Sequence, residues 1–134
     1  MSTQGRLLLD THVWWWYLIG SERLPARIRR ALDSADGSVW LSPISVWELG
    51  MLAARGRIEI EGQYRAWVTS ALQRVPVEEA PLTTEVALKS REIELPYRDP
   101  ADRFLAATAL AYDLTLVTVD KRLVRPRWLP TLSA

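Results

Sequence analysis

The chain alternates short apolar runs with longer stretches of helical periodicity, and two of the runs close on an aspartate. Leu7-Leu8-Leu9 leads directly into Asp10, and Leu116-Val117-Thr118-Val119 leads directly into Asp120. A short apolar run with no polar face reads as a strand buried on both sides. Strands separated by helices point to a parallel sheet covered by helices on both faces. The fold expected is therefore α/β, a three-layer α/β/α sandwich around a central, mostly parallel sheet of roughly four to five strands. Ligands of such sheets sit in the crevice beyond the carboxyl ends of the strands. If both runs belong to one sheet, Asp10 and Asp120 open onto that crevice together.

Local signals divide the rest of the chain. Residues 6–9 read as the first strand, and 11–19 as a tryptophan-rich helix broken by Gly20-Ser21. A helix is expected over 25–35 and a strand over 39–41. Ser42-Pro43 opens the next helix, with serine as N-cap and proline at the first helical position, and the helix ends near Gly56. A helix over 64–73, a third strand over 74–77 and a helix over 83–93, stopped by Leu95-Pro96, follow. Asp99-Pro100 starts a helix that reaches Tyr112, then come a strand over 115–119, a short helix over 120–124 and an edge strand at Trp128-Leu129. No repeat, linker or low-complexity tract interrupts this order, so residues 1–134 are read as a single domain large enough to bury a core.

Composition removes several classes of function. With no cysteine, disulfides, thiolate zinc sites and a cysteine nucleophile are excluded. The most apolar run, 13–19, falls well short of the roughly 20 residues needed to cross a bilayer. Residues 1–10 lack the apolar core of an export leader, so no membrane association and a cytoplasmic location are expected. The six glycines are isolated, so no Walker or dinucleotide-binding pattern exists. A net charge of +1 gives no sign of nucleic acid, although fifteen arginines stand against Lys89 and Lys121. Arginine forks suit phosphate oxygens, while genome composition accounts for the excess equally well.

The acidic residues carry the chemistry. Alone, Asp10 or Asp120 is explained as the N-cap of the helix that follows. Glu48 is not, because it stands four residues from both Ile44 and Leu52, inside a stripe they form with Met51. A carboxylate on a core-facing stripe is unfavourable unless paired or metal-bound, and Arg55 is the ion-pair alternative. Asp99 suits the cap before Pro100, whereas Asp102 falls in the first turn beside the stripe Ala101, Phe104, Leu105, Thr108 and Tyr112. Carboxylates gathered without a cation repel one another and their pKa values rise. Oxygen-only ligands suit hard cations, Mg2+ or Mn2+ rather than zinc. Such ions activate water and neutralise charge on a phosphodiester, so metal-assisted phosphodiester hydrolysis is the chemistry expected.

Four segments together then resemble the PIN-domain toxins of the VapC type: Leu-Leu-Leu-Asp10-Thr11-His12, Ser42-Pro-Ile-Ser45-Val-Trp-Glu48-Leu49, Asp99-Pro-Ala-Asp102-Arg103-Phe-Leu-Ala-Ala, and Leu114-Thr-Leu-Val-Thr118-Val-Asp120. They occur in the family's order and span nearly the whole chain. The resemblance implies a Mg2+- or Mn2+-dependent endoribonuclease, the toxin of a toxin–antitoxin pair, with a small antitoxin as partner and a homodimer as assembly. It matches Asp10, Glu48, Asp102 and Asp120 to the family's metal-holding, catalytic acids, with Thr118 and Asp99 in support. His12 stands where many members carry Asn, and a structural hydrogen bond is expected of it. Arg103 and Arg122 are candidates for positioning the RNA backbone. The alternative is a catalytically weak PIN-like module that works through RNA or protein contacts. A phosphotransferase using Asp10 as nucleophile fits poorly, because an Asp-x-Asp loop would be needed and position 12 is histidine.

The consecutive Trp14, Trp15 and Trp16 cannot all lie on one helical face. At least one is expected to be exposed or to meet a partner, and Trp47 and Trp67 are further candidates for a groove that takes an antitoxin helix.

Overall fold

The computed structural model describes residues 5–35, 38–96 and 98–134. Residues 1–4, part of the stretch read as lacking a leader, lie outside the described residues. The sheet has five strands in the order β3-β2-β1-β4-β5, and every pairing is parallel. They are β1 (Leu7–Leu9), β2 (Val39–Leu41), β3 (Glu78–Glu79), β4 (Thr115–Val117) and β5 (Thr131–Leu132).

Around them lie α1 (Thr11–Ile19), α2 (Ala26–Asp33), α3 (Pro43–Ala54), α4 (Tyr64–Arg74), α5 (Thr84–Glu92), α6 (Pro100–Tyr112) and α7 (Lys121–Val124). Side chains alternate across a strand, and β1 shows what this does to the layers. Leu7 and Leu9 join a core with Trp14 of α1, Ile28 of α2, Leu49 of α3 and Ala71 of α4. Leu8 faces the other way, into a core with Leu105, Ala106 and Ala109 of α6 and Leu123 of α7. The expected three-layer sandwich is the one observed.

The topology also places the crevice. From β1 the chain moves outward to β2 and β3, then returns to lay β4 and β5 on the other side of β1. The direction of winding reverses between β1 and β4, and the crevice of an open α/β sheet forms at such a reversal. Leu7 pairs with Val39 on one side and Thr115 on the other, so β1 is held in register from both flanks. Among the described residues no helix is long and apolar enough to cross a membrane.

Two edge elements depart from expectation. The third strand is not 74–77: α4 runs on to Arg74, and the strand begins at Glu78. Val75 and Val77 pack against the α1–α4 core instead, and Pro76 has no N–H to give to a ladder. Glu78 and Glu79 pair with Trp40 and Leu41 at an edge, where exposed charge is tolerated and blocks further pairing. The last strand is Thr131–Leu132 rather than Trp128-Leu129, because Leu129 is buried in the α6 core and Pro130 intervenes. The ladder is taken up where the Leu116 N–H donates to the Pro130 carbonyl at 2.9 Å and the Thr118 N–H to the Leu132 carbonyl at 3.1 Å.

The three tryptophans of α1 are shared among different surroundings. Trp14 is fully buried and meets Trp67 edge-on at 6.3 Å, while Trp15 is tilted against the same ring at 5.6 Å. Tyr64 stacks on Trp67, and its hydroxyl donates to the Val46 carbonyl. That anchored ring lies over Gly50 of α3, where an added Cβ would come 2.8 Å from it. Alanine is the better helix former, but here the clash outweighs the propensity gain. Gly50→Ala is expected to lower the unfolding free energy by about 1–2 kcal/mol, measured as a reduced urea midpoint with unchanged slope; a midpoint at or above wild type would mean that Tyr64 is free to move.

Candidate active site

Each acid reaches the crevice from a different part of the chain. Asp10 ends β1 and caps α1, its Oδ1 accepting from the Thr11 N–H at 2.7 Å. Its other oxygen accepts from Thr118 Oγ1 at 2.6 Å, a buried contact that joins the ends of β1 and β4. Glu48 projects from α3, half-buried. Asp99 caps α6 through the Asp102 N–H at 3.3 Å, and Asp102 is buried one turn in. Asp120 caps α7 through the Arg122 N–H at 2.9 Å. The capping reading and the shared-crevice reading are therefore both correct for Asp10 and Asp120. All five carboxylates line one hollow of about 340 Å3, together with His12, Trp16, Arg23 and Arg122.

The electrostatics follow from that crowding. Burial pushes the Asp10 carboxyl up, opposed by the hydrogen bonds from Thr118 and Thr11. Burial also raises Glu48, with repulsion from Asp10 and Asp99 adding to it and the Thr11 hydroxyl working the other way. Asp102 is pushed up to about 7, first by burial and then by the charges of Asp99, Asp10, Asp120 and Glu48. Asp120 moves down instead, because the Arg122 guanidinium grips it with Nε at 3.2 Å and Nη2 at 2.9 Å. The same Nη2 stands 3.7 Å from Asp102. Raised carboxyl values of this kind mark a site that lacks positive charge.

A hard divalent cation fits this donor set: the ligands are all oxygens, and two of them, Asp10 and Asp102, are buried. Among the described residues no three acids stand close enough to enclose an ion unaided. Magnesium retains several of its own waters and needs only one or two direct carboxylates, so an open arrangement is compatible with it.

Other sequence expectations resolve differently. Glu48 forms no ion pair with Arg55, which ends α3 exposed. Ser45 and Leu49, rather than Ile44, Met51 and Leu52, are the fully buried positions of α3. Arg103 is not at the rim: it donates to the carbonyls of Ser90 at 2.9 Å, Ile93 at 2.8 Å and Leu95 at 3.1 Å, tying α5 and its exit to α6. His12 makes no side-chain hydrogen bond among the described residues; it is exposed and tilted against Trp16 at 5.9 Å. Sequence reasoning missed the hydroxyl pair beneath the acids, where Thr11 Oγ1 donates to Ser45 Oγ at 3.0 Å, buried. It also missed Arg23 and Trp16 as walls. Thr11 and Ser45 lay inside the quoted motifs, but nothing local marks Arg23.

A profile of the PIN domain matches residues 7–129. The chain belongs to the PIN-domain family. Within it, the chain is similar to Ribonuclease VapC22 of Mycobacterium tuberculosis (strain ATCC 25618 / H37Rv), at 34% identity over 118 residues, 87% of this chain and 88% of that protein. Two crystal structures share the PIN fold at lower identity. The DNA-bound VapBC of Salmonella typhimurium has a TM-score of 0.71 at 20% identity, covering 96% of this chain and 98% of that one. VapBC-5 of Mycobacterium tuberculosis, a member of the VapBC family of toxin-antitoxin systems, has a TM-score of 0.63 at 18% identity, covering 97% and 99%.

The raised acids of this PIN domain predict an unusual pH dependence. Between about pH 4, where unfolded carboxyls titrate, and the value of about 7 at Asp102, the folded chain holds a proton that the unfolded chain has lost. These groups therefore stabilise the cation-free protein at low pH and lose that contribution as pH rises through the window; lowered Asp120 acts in the opposite sense, chiefly below it. Without divalent cations the thermal midpoint is expected to fall from about pH 5 to about pH 7.5, and magnesium to raise it more at the higher pH. Asp102→Asn is expected to flatten the slope; the same slope in that variant would locate its origin elsewhere.

Proposed function

We propose that this chain is a single-domain, divalent-metal-dependent endoribonuclease and the toxin of a type II toxin–antitoxin module. The observation that carries the reading is the meeting of five carboxylates, from four separate segments of the chain, in one crevice at the reversal of the sheet. The 34% identical relative, a ribonuclease by name, and the VapBC fold support the substrate class and a small antitoxin as partner. A homodimer and a cytoplasmic location, where RNA and antitoxin are found, belong to the same reading.

Asp10, Glu48, Asp102 and Asp120 hold Mg2+ or Mn2+ in this reading. When bound, such an ion neutralises charge on the phosphodiester and activates water for attack on phosphorus. The chain's own residues set the stage for that chemistry. Thr118 fixes the Asp10 carboxylate by donating to one oxygen, as the Thr11 N–H does to the other. Thr11 and Ser45, hydrogen-bonded to each other, form a buried polar floor near Glu48. Asp99 caps α6 and so sets the direction from which Asp102 enters. Arg122, held by Asp120 at the rim, is placed to meet a phosphate once a cation takes over the carboxylates.

Incubation of purified protein with cellular RNA, with and without magnesium, tests the reading. Asp10→Asn is expected to abolish magnesium-dependent cleavage while retaining the native circular dichroism spectrum. Wild-type protein that binds RNA without cutting it would instead support the binding-module alternative. Thr118→Val removes a donor that only orients a ligand, so activity should fall by roughly 10–100-fold rather than vanish; full activity in that variant would deny Thr118 its orienting role.

A further inference from the structure

Arg122 belongs to two hollows. It lines the acidic crevice, and it also lines a second hollow of about 410 Å3 whose other walls include Pro96, Arg125, Pro126 and Trp128. The two sites thus share one guanidinium, and a ligand that leaves the acids past Arg122 enters the second hollow directly.

The construction of this hollow suits a flat apolar ring. Trp128 is 38% exposed, although the next residue, Leu129, is buried in the α6 core. The Leu129 N–H donates to the Pro126 carbonyl at 3.3 Å, so the indole is carried on a closed turn between α7 and β5 rather than on a loose loop. Pro96 and Pro126 add rigid apolar walls. The charge at its edge is Arg122 and Arg125 against a single acid, Glu94. An aromatic face beside guanidiniums is how proteins hold single-stranded nucleic acid: bases stack on the ring, and the backbone meets the positive charges. A peptide side chain would fill the apolar walls, but it would leave both arginines without the anion they are placed to meet. A base inside a duplex already has both faces covered and could not enter.

We propose that this hollow is a base-stacking subsite for an unpaired nucleotide of the substrate RNA, next to the phosphodiester held over the acids. The base lies against Trp128, and its phosphate lies between Arg122 and Arg125. The inference rests on the nuclease reading above and adds that the strand must be unpaired on one side of the cut.

Binding in the presence of a chelator separates the two claims, since no cleavage then occurs. A fluorescein-labelled single-stranded oligoribonucleotide of mixed sequence and its fully paired duplex are titrated by fluorescence anisotropy. Trp128→Ala is expected to weaken single-strand binding about tenfold, the scale of losing one stacked base, and to leave duplex binding within about twofold. Trp128→Phe, which keeps a ring, is expected to retain most of the affinity. Trp128→Leu keeps apolar bulk on the turn without a ring, guards against misfolding, and should match Trp128→Ala. Arg125→Glu is expected to weaken single-strand binding and reduce its salt dependence.

Unchanged single-strand affinity in Trp128→Ala and Trp128→Leu, in protein that still cleaves RNA with magnesium, overturns the subsite and leaves the nuclease reading standing. Equal losses on single strand and duplex overturn stacking as the cause. Unchanged RNA binding together with a shift from dimer to monomer in sedimentation makes the hollow a contact between copies and also overturns the inference. Trp128-dependent binding by a wild-type protein that never cuts RNA would uphold the subsite and sink the nuclease reading.

Discussion

The hydrogen bond from Thr118 to Asp10 is the contact on which the crevice turns. It links residues 108 positions apart, at the ends of the two strands that flank the reversal of the sheet. It forms because β1 is paired with β2 on one side and β4 on the other, which fixes how far each strand extends into the crevice. A shift of one residue in either register would turn the side chains at those strand ends to the opposite face of the sheet. The acids would then no longer meet, whatever the helices did.

That meeting is unfavourable in itself. Asp102 sits among four other carboxylates with little solvent to screen it, and Asp10 is nearly as enclosed. Folding tolerates the strain because both buried acids stand at the edges of well-packed cores, with Leu9 and Trp14 on one face and Leu105, Ala106 and Leu116 on the other. Arg122 relieves part of the repulsion by chelating Asp120 and approaching Asp102. The positive charge there comes from a side chain on a short exposed helix, so it can be exchanged for an ion more easily than one locked in the core. Arg103 shows the contrast. Its guanidinium satisfies three carbonyls at the α5–α6 connection and helps set where α6, and therefore Asp102, begins.

The net charge of +1 conceals a separation of sign. Carboxylates gather on the floor of the crevice, while Arg23 and Arg122 stand among its walls and Arg125 lies beyond. An anionic strand drawn to such a rim can come close to the floor only if a cation neutralises it. A protein of this kind would bind RNA and metal together more readily than either alone.

The apolar runs before Asp10 and Asp120, the Ser42-Pro43 and Asp99-Pro100 caps, and the alternation of strands with helices were enough to read the layers and four of the acids. These are local signals, governed by periodicity and by backbone groups a few residues apart. Failures lay where long-range packing overrides local preference. Val75 and Val77 look like a strand but are drawn into the α1–α4 core, so the edge pairing falls to Glu78 and Glu79. Arg103 and Arg122 are the same residue type beside the same kind of motif, yet one braces three carbonyls and the other grips an acid at the rim. Only the order of strands decided that Arg23, Trp16 and Trp128 would stand near the acids, because proximity across a sheet depends on which strands pair and not on distance along the chain.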